Sequence, residues 1–174
     1  GLFSLAHAAF WGIGAYTSGI LVGKLGFPIW VGVLLSGVVA CIFGMIIAIP
    51  SLNLRGDYLA IVTLGFGQIV RLIELNEQWL TNGAMGITAI PKPALFGIKF
   101  GRVQFFYLAL AITLLVMLVI YRLVKSRVGR ALIAIREDDL AAMAIGVNVR
   151  NYKILAFGIG TFCAGLMGSV YAHY

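Results

Sequence analysis

The sequence predicts an all-α fold, a polytopic bundle of about five membrane-crossing helices. Three observations predict it. Of 174 residues, 61% are hydrophobic and only 11% are charged, whereas a soluble domain carries about 25% charged residues. Several charge-free runs reach the ~20 residues a helix needs to cross the hydrocarbon core. Small residues recur at four-residue spacing within those runs, the pattern by which membrane helices approach one another. Backbone groups in lipid must be satisfied internally, so the runs read as helices.

Residues 2–23 carry no charge and form the first span. Residues 25–54 are also charge-free and hold one span over 28–49, where Pro28 suits a first helical turn and Pro50 an end. Residues 58–80 form another: the first half is apolar and the second carries Arg71, Glu74, Glu77 and Gln78. At the helical rise, Arg71 lies ~20 Å beyond Tyr58, near the far interface rather than the midplane. Residues 103–121 and 154–174 complete the set. The small-residue stripes are Ala15, Gly19 and Gly23; Ser36, Ala40, Gly44 and Ala48; and Gly160, Ala164, Gly168 and Ala172. Three stripes on three spans predict a tightly packed bundle.

The whole of 1–174 reads as a single transmembrane domain. Both ends read as cut inside apolar runs, with no signal peptide ahead of Leu2. The net charge of +7 would suggest nucleic acid in a soluble chain. Here the basic residues flank apolar spans, so they set orientation instead. Segment 122–153 holds Arg122, Lys125, Arg127, Arg130, Arg136, Arg150 and Lys153, and is expected to be cytoplasmic. Segment 81–102 then faces outward, although Lys92, Lys99 and Arg102 run mildly against this; 51–57, with Arg55, faces inward, and Lys24 outward. Cys41 and Cys163 lie inside apolar runs and read as small core residues.

Segment 122–153 is the most informative. Residues 129–136 (GRALIAIR) alternate small and apolar residues between arginines, and Glu137, Asp138 and Asp139 follow. The next stretch, 140–145, is apolar and helix-prone, and Gly146 closes it. This describes a short helix at the membrane face. Asp138 or Asp139 caps its first turn, the acids match its dipole, and Gly146 stops it in a left-handed conformation. Leu140, Met143 and Ala144 give it one apolar face. So short a helix needs something to dock against. It either rests on lipid or docks a cytoplasmic partner, and three consecutive acids favour protein over a negative lipid surface.

Residues 126–157 (SRVGRALIAIREDDLAAMAIGVNVRNYKILAF) resemble the cytoplasmic signature of branched-chain amino acid ABC permeases of the LivM type. Residues 54–72 (LRGDYLAIVTLGFGQIVRL) resemble that family's most recognisable membrane segment, and residues 4–17 (SLAHAAFWGIGAYT) a third block. The blocks occur in the family's order. The resemblance implies the ABC importer permease fold in the bacterial inner membrane and a non-enzymatic transport role. Its partners would be a second homologous permease subunit, two cytoplasmic ATP-binding subunits that use ATP and magnesium, and a periplasmic solute-binding protein. It also implies that 122–153 contains the ATPase-coupling element: Arg130, Arg136, Glu137, Asp138, Asp139, Leu140, Ala141, Ala142 and Gly146. The broader importer pattern has a glutamate where this chain has Leu140. Branched-chain amino acids are the implied cargo, and urea and short-amide permeases look similar.

No cofactor is expected on this chain. Gly23-Lys24-Leu25 lacks the spacing and hydroxyl residue of a phosphate-binding loop, and His7 and His173 form no ligand cluster for a metal. Ionisable and polar groups at membrane depth are candidates for a translocation path. Ser4 and His7 are one such pair, although His7 equally suits a neutral donor to a neighbouring carbonyl. Thr63, Gly65, Gly67 and Gln68 either expose backbone to a zwitterionic solute or make a close packing contact. Arg71 and Glu74 suit an internal ion pair or contact with the binding protein; Arg55 and Asp57 suit a turn and cap around Gly56. A channel or secondary transporter would need midplane charges, which 25–54 and 103–121 lack. A membrane enzyme would need an acid or nucleophile cluster, and the acids at 137–139 have no histidine beside them.

Overall fold

The computed structural model describes residues 6–52, 57–87, 94–95, 98–99 and 101–174. Among these the chain forms α1 (His7–Gly19), α2 (Ile29–Ser51), α3 (Asp57–Asn76), α4 (Gln78–Thr81), α5 (Arg102–Lys125), α6 (Arg127–Glu137), α7 (Asp139–Ala144) and α8 (Val149–Ala172). A two-residue antiparallel ladder, β1 (Ala94–Leu95) with β2 (Ile98–Lys99), lies between α4 and α5. Among the described residues four helices are long and apolar enough to cross a membrane: Ile29–Pro50, Tyr58–Asn76, Arg102–Lys125 and Val149–Ala172. The expected first span is carried by α1 and a π-helical stretch, Ile20–Lys24, that continues it directly; its residues 2–5 lie outside the described set.

The expected span 58–80 is not one helix. It breaks at Glu77, whose ψ of 82° is not helical, and restarts as the single turn α4. The Thr81 hydroxyl fastens this break by donating to the Glu74 and Glu77 carbonyls, each at 2.7 Å. Asn82 then takes a left-handed conformation at φ 63° and ends α4. Lys24 Nζ donates to the Trp79 carbonyl at 2.9 Å, tying the end of the first span to α4. Both sites lie on the side expected to face outward.

The core is a three-helix contact, with α8 between α1 and α2. Gly37 meets Phe162 and Leu166, Gly44 meets Thr161, and Gly158 meets Cys41 and Met45, so α2 runs antiparallel to α8. The stripe Ser36, Ala40, Gly44 and Ala48 is buried throughout. It brings backbones so close that a Cβ on Gly165 would sit 2.5 Å from the Ala40 Cβ. The other two stripes are partly corrected. On α1 the small residue at the contact is Gly14, where a Cβ would fall 2.2 Å from the Gly165 carbonyl oxygen, while Ala15 lines a cavity. On α8, Gly160 and Gly168 face α1, but Gly158, Thr161 and Gly165 face α2. A central helix needs two small faces, and one four-residue stripe describes only one of them.

Several polar side chains in the bundle are satisfied by neighbouring helices or by their own helix's carbonyls. Ser18 Oγ and His173 Nε2 are 2.8 Å apart and buried, joining the ends of α1 and α8. Thr161 donates back to the carbonyls of Phe157 and Gly158. Such bonds keep hydroxyls from being stranded in a medium without water. Cys41 and Cys163 are free thiols, and both line an apolar recess between α5, α2 and α8. By contrast, α5 stands at the edge with little of its surface covered, and Phe106, Leu114, Leu118 and Tyr121 are exposed along it. In a bilayer such a surface meets lipid or another helix rather than water.

Candidate functional site

Two regions carry the candidate residues. The first is the helical pair α6–α7. Ser126 ends α5 and opens α6: its Oγ accepts from the amides of Val128 at 3.2 Å and Gly129 at 3.4 Å. This is the N-cap bond that satisfies amides left orphaned at a helix start. The turn is tight enough that a Cβ on Gly129 would sit 1.9 Å from the Val124 carbonyl oxygen. Residues 129–136, read from sequence as alternating, are therefore a helix with a buried side at Gly129 and Ile135. The clue available was Ser126, a capping residue just ahead of an apolar-periodic run.

The helix α7 is built as expected, from caps at both ends. Asp138 is its N-cap, with Oδ1 accepting from Leu140 N at 2.7 Å and Ala141 N at 3.2 Å. At the other end Gly146 has φ 83°. Its amide donates to the Met143 carbonyl, and the Val147 amide donates to the Ala142 carbonyl, both at 3.0 Å. This pair of bonds is the Schellman closure, which needs a left-handed residue. Of the expected apolar face, Leu140 is 68% exposed and Met143 50%, whereas Ala142, 2% exposed, is the residue turned into the protein. Arg130 and Arg136 are exposed on α6, as are Glu137 and Ala141 beside α7, and Arg130 Nη1 donates to the Lys125 carbonyl at 3.3 Å.

Sequence reasoning missed the bond that locks this pair to the bundle. Lys153, buried near the start of α8, donates to Asp139 Oδ2 at 2.6 Å. Both side chains are largely covered, 10% and 17% exposed. A charged bond shielded from water is stronger than an exposed one and costly to half-remove. Its members are fourteen residues apart and meet only because Gly146 reverses the chain.

The second region is an open cavity of about 660 Å³ between α1, α3 and the end of α8. Gly67 and Gln68 line it, together with Arg71 and Glu74. Trp11 and Tyr171, with ring centroids 4.6 Å apart, form a wall. The other expected path residues are elsewhere. Thr63 is fully buried and its hydroxyl donates to the Ala60 carbonyl at 3.0 Å. Gly65 is exposed, with nothing within 4 Å of its Cβ position. His7 is exposed beside Gly160 of α8. Ser4, Arg55 and Gly56 lie outside the described residues, and Asp57 begins α3. The expected Arg71–Glu74 ion pair does not form among the described residues: Glu74 Oε1 is buried and accepts no hydrogen bond. Its carboxylate lies over α1 where Gly12 leaves room; a Cβ there would be 2.5 Å from Oε1. No group of three His, Cys, Asp or Glu side chains among the described residues is placed to hold a metal ion.

A helical bundle with four helices long and apolar enough to cross a membrane among the described residues defines the class as a multi-pass membrane protein. Comparison with known proteins narrows the class. The full chain, residues 1–174, matches the family described as branched-chain amino acid transport system / permease component. It is 40% identical to the high-affinity branched-chain amino acid transport system permease protein LivM of Escherichia coli (strain K12), over 99% of this chain and 46% of that protein. It is 28% identical to a probable branched-chain amino acid transport permease protein LivM of Methanocaldococcus jannaschii, over 82% and 41%. It is 26% identical to the autoinducer 2 import system permease protein LsrC of Salmonella typhi, over 80% and 38%. The chain therefore belongs to the branched-chain amino acid transport permease family, and it spans about half the length of the curated relatives it matches. No solved structure matches it.

Proposed function

We propose that this chain is part of the permease subunit of an ATP-driven importer in the bacterial inner membrane, carrying branched-chain amino acids delivered by a periplasmic binding protein. Family membership supports the transport role. The observation that carries the mechanism is α7, capped at both ends, anchored by Ala142 and Lys153, and presenting Leu140 and Met143 outward. A helix of six residues is too short to hold itself together in isolation. Its two caps and its buried charge pair make it a rigid knob, which is what a partner needs if it is to push on the bundle. In this reading the partners are two cytoplasmic ATP-binding subunits, which hold ATP and magnesium. A second, homologous permease subunit completes the path, and the chain performs no catalysis of its own.

The test is uptake and ATP hydrolysis by the full-length assembly in vesicles. Gly146→Pro removes the amide that bonds Met143 and forbids a positive φ. Reversal of charge at Asp138 removes the N-cap, which contributes about 1 kcal/mol to the helix. Both variants are expected to keep ATP hydrolysis and lose at least most of the uptake. Normal coupled uptake in both, or wild-type uptake that needs no ATP, overturns the coupling role of α7.

A further inference from the structure

Resting on the importer reading, we propose that the cavity between α1 and α3 binds the zwitterionic head of a small aliphatic amino acid, with Glu74 taking the ammonium and Arg71 the carboxylate. Glu74 Oε1 is buried without a hydrogen-bond partner. A carboxylate oxygen held out of water is costly unless a donor meets it. The nearest cation in sequence is Arg71, three residues earlier on the same helix, a spacing at which opposite charges normally pair. Among the described residues they do not pair, and both line the cavity.

Three residues of helix advance about 4.5 Å, a spacing that lets one α-amino acid reach both groups with its two charged ends. Gln68, on the same side of α3 and also lining the cavity, adds an amide that can donate to a carboxylate or accept from an ammonium. Gly12 is what admits the carboxylate, because any side chain there would occupy the space of Oε1. Leu64, Ile87 and Ala15 supply apolar wall for a short aliphatic side chain. A bare metal cation is disfavoured by Arg71 and by the single carboxylate. Urea or a short amide brings no full positive charge for Glu74, so the site selects a zwitterion over those neutral solutes.

The experiment uses the detergent-solubilised full-length permease with its co-purifying subunits, without binding protein or ATP, so that leucine binding is read directly. Three analogues compete: leucinamide, which lacks the carboxylate; isocaproate, which lacks the ammonium; and urea. For the wild type, leucine is expected to bind about tenfold or more tightly than either one-charge analogue, the worth of one charge-assisted bond. Glu74→Gln is expected to weaken leucine by a similar factor while leaving isocaproate unchanged, so the preference between them vanishes; Arg71→Gln does the same for leucine against leucinamide. A merely structural role would weaken every ligand alike, which overturns the site. So does leucine binding that Glu74→Gln leaves intact, urea competing as well as leucine, or no leucine binding to the wild type. Should Glu74→Gln fail to assemble, the wild-type ranking and Arg71→Gln carry the test. ATP-independent uptake in vesicles would instead sink the importer reading while leaving the binding result standing.

Discussion

Single glycines in this chain divide by what surrounds them. Gly14 stands where α1 touches α8, and its Cβ position is 2.2 Å from a backbone oxygen that cannot rotate away. Gly65 stands on the exposed face of α3 with nothing within 4 Å. Gly14→Ala must push α1 off α8, at a cost of about 1–3 kcal/mol typical of overpacking. Gly65→Ala adds a methyl to open space and relieves the helix of its least favourable ordinary residue, a change of at most about 1 kcal/mol in the stabilising direction. Thermal unfolding of the full-length protein in detergent should therefore show a lowered midpoint for Gly14→Ala and an equal or raised one for Gly65→Ala. Equal effects would mean that α1 and α8 are not held in backbone contact.

At the scale of elements, the link between α7 and α8 is the Asp139–Lys153 bond. Asp139→Asn and Lys153→Met each leave one largely covered charge without the other, whereas the double variant removes both. A double-mutant cycle should give a coupling of about 1–3 kcal/mol, below the range of a fully buried pair because both side chains keep some exposure. Hydrogen exchange at the α7 amides is the direct readout: faster in each single variant, and less than additively faster in the double. The elements also show what could be read in advance. The caps of α7 were legible because Asp138 and Gly146 act on their own neighbours, within the reach of sequence pattern. The helix α6 was not, because Gly129 and the alternation of small and large residues mimic an extended stretch. The break at Glu77 was missed because it carries no proline or glycine; Thr81 makes it through bonds four and seven residues back. The Lys153 bond and the cavity depend on segments far apart in the chain, and no local pattern encodes which polar residue meets which. Gly67 and Gln68 were picked out with Thr63 and Gly65, yet helical rotation turns the latter two into the core and out to the exposed face.

For the whole molecule, every functional statement depends on which end faces the cell interior. The bundle supplies an internal check, since α2 and α8 are antiparallel and Lys24 reaches Trp79, which puts the start of α2 and the end of α3 at one face. The α6–α7 pair, tied to the start of α8 by Lys153, is then at the other. Charge predicts which face is which: segment 122–153 has seven basic residues and segment 81–102 has three, and basic loops tend to stay on the cytoplasmic side. Met85, 88% exposed, and Ile145, 74% exposed, mark the two faces without touching the core. In full-length protein with Cys41 and Cys163 replaced by alanine, a membrane-impermeant thiol reagent applied outside the inner membrane should label Met85→Cys in intact cells. It should reach Ile145→Cys only after the membrane is opened. The reverse pattern would place α7 where no ATP is available and Glu74 on the cytoplasmic side of the bundle. It would remove the importer mechanism even if the helices, caps and cavity all stood as described. Labelling of both positions from outside would break the alternation itself, and with it the bundle's number of crossings.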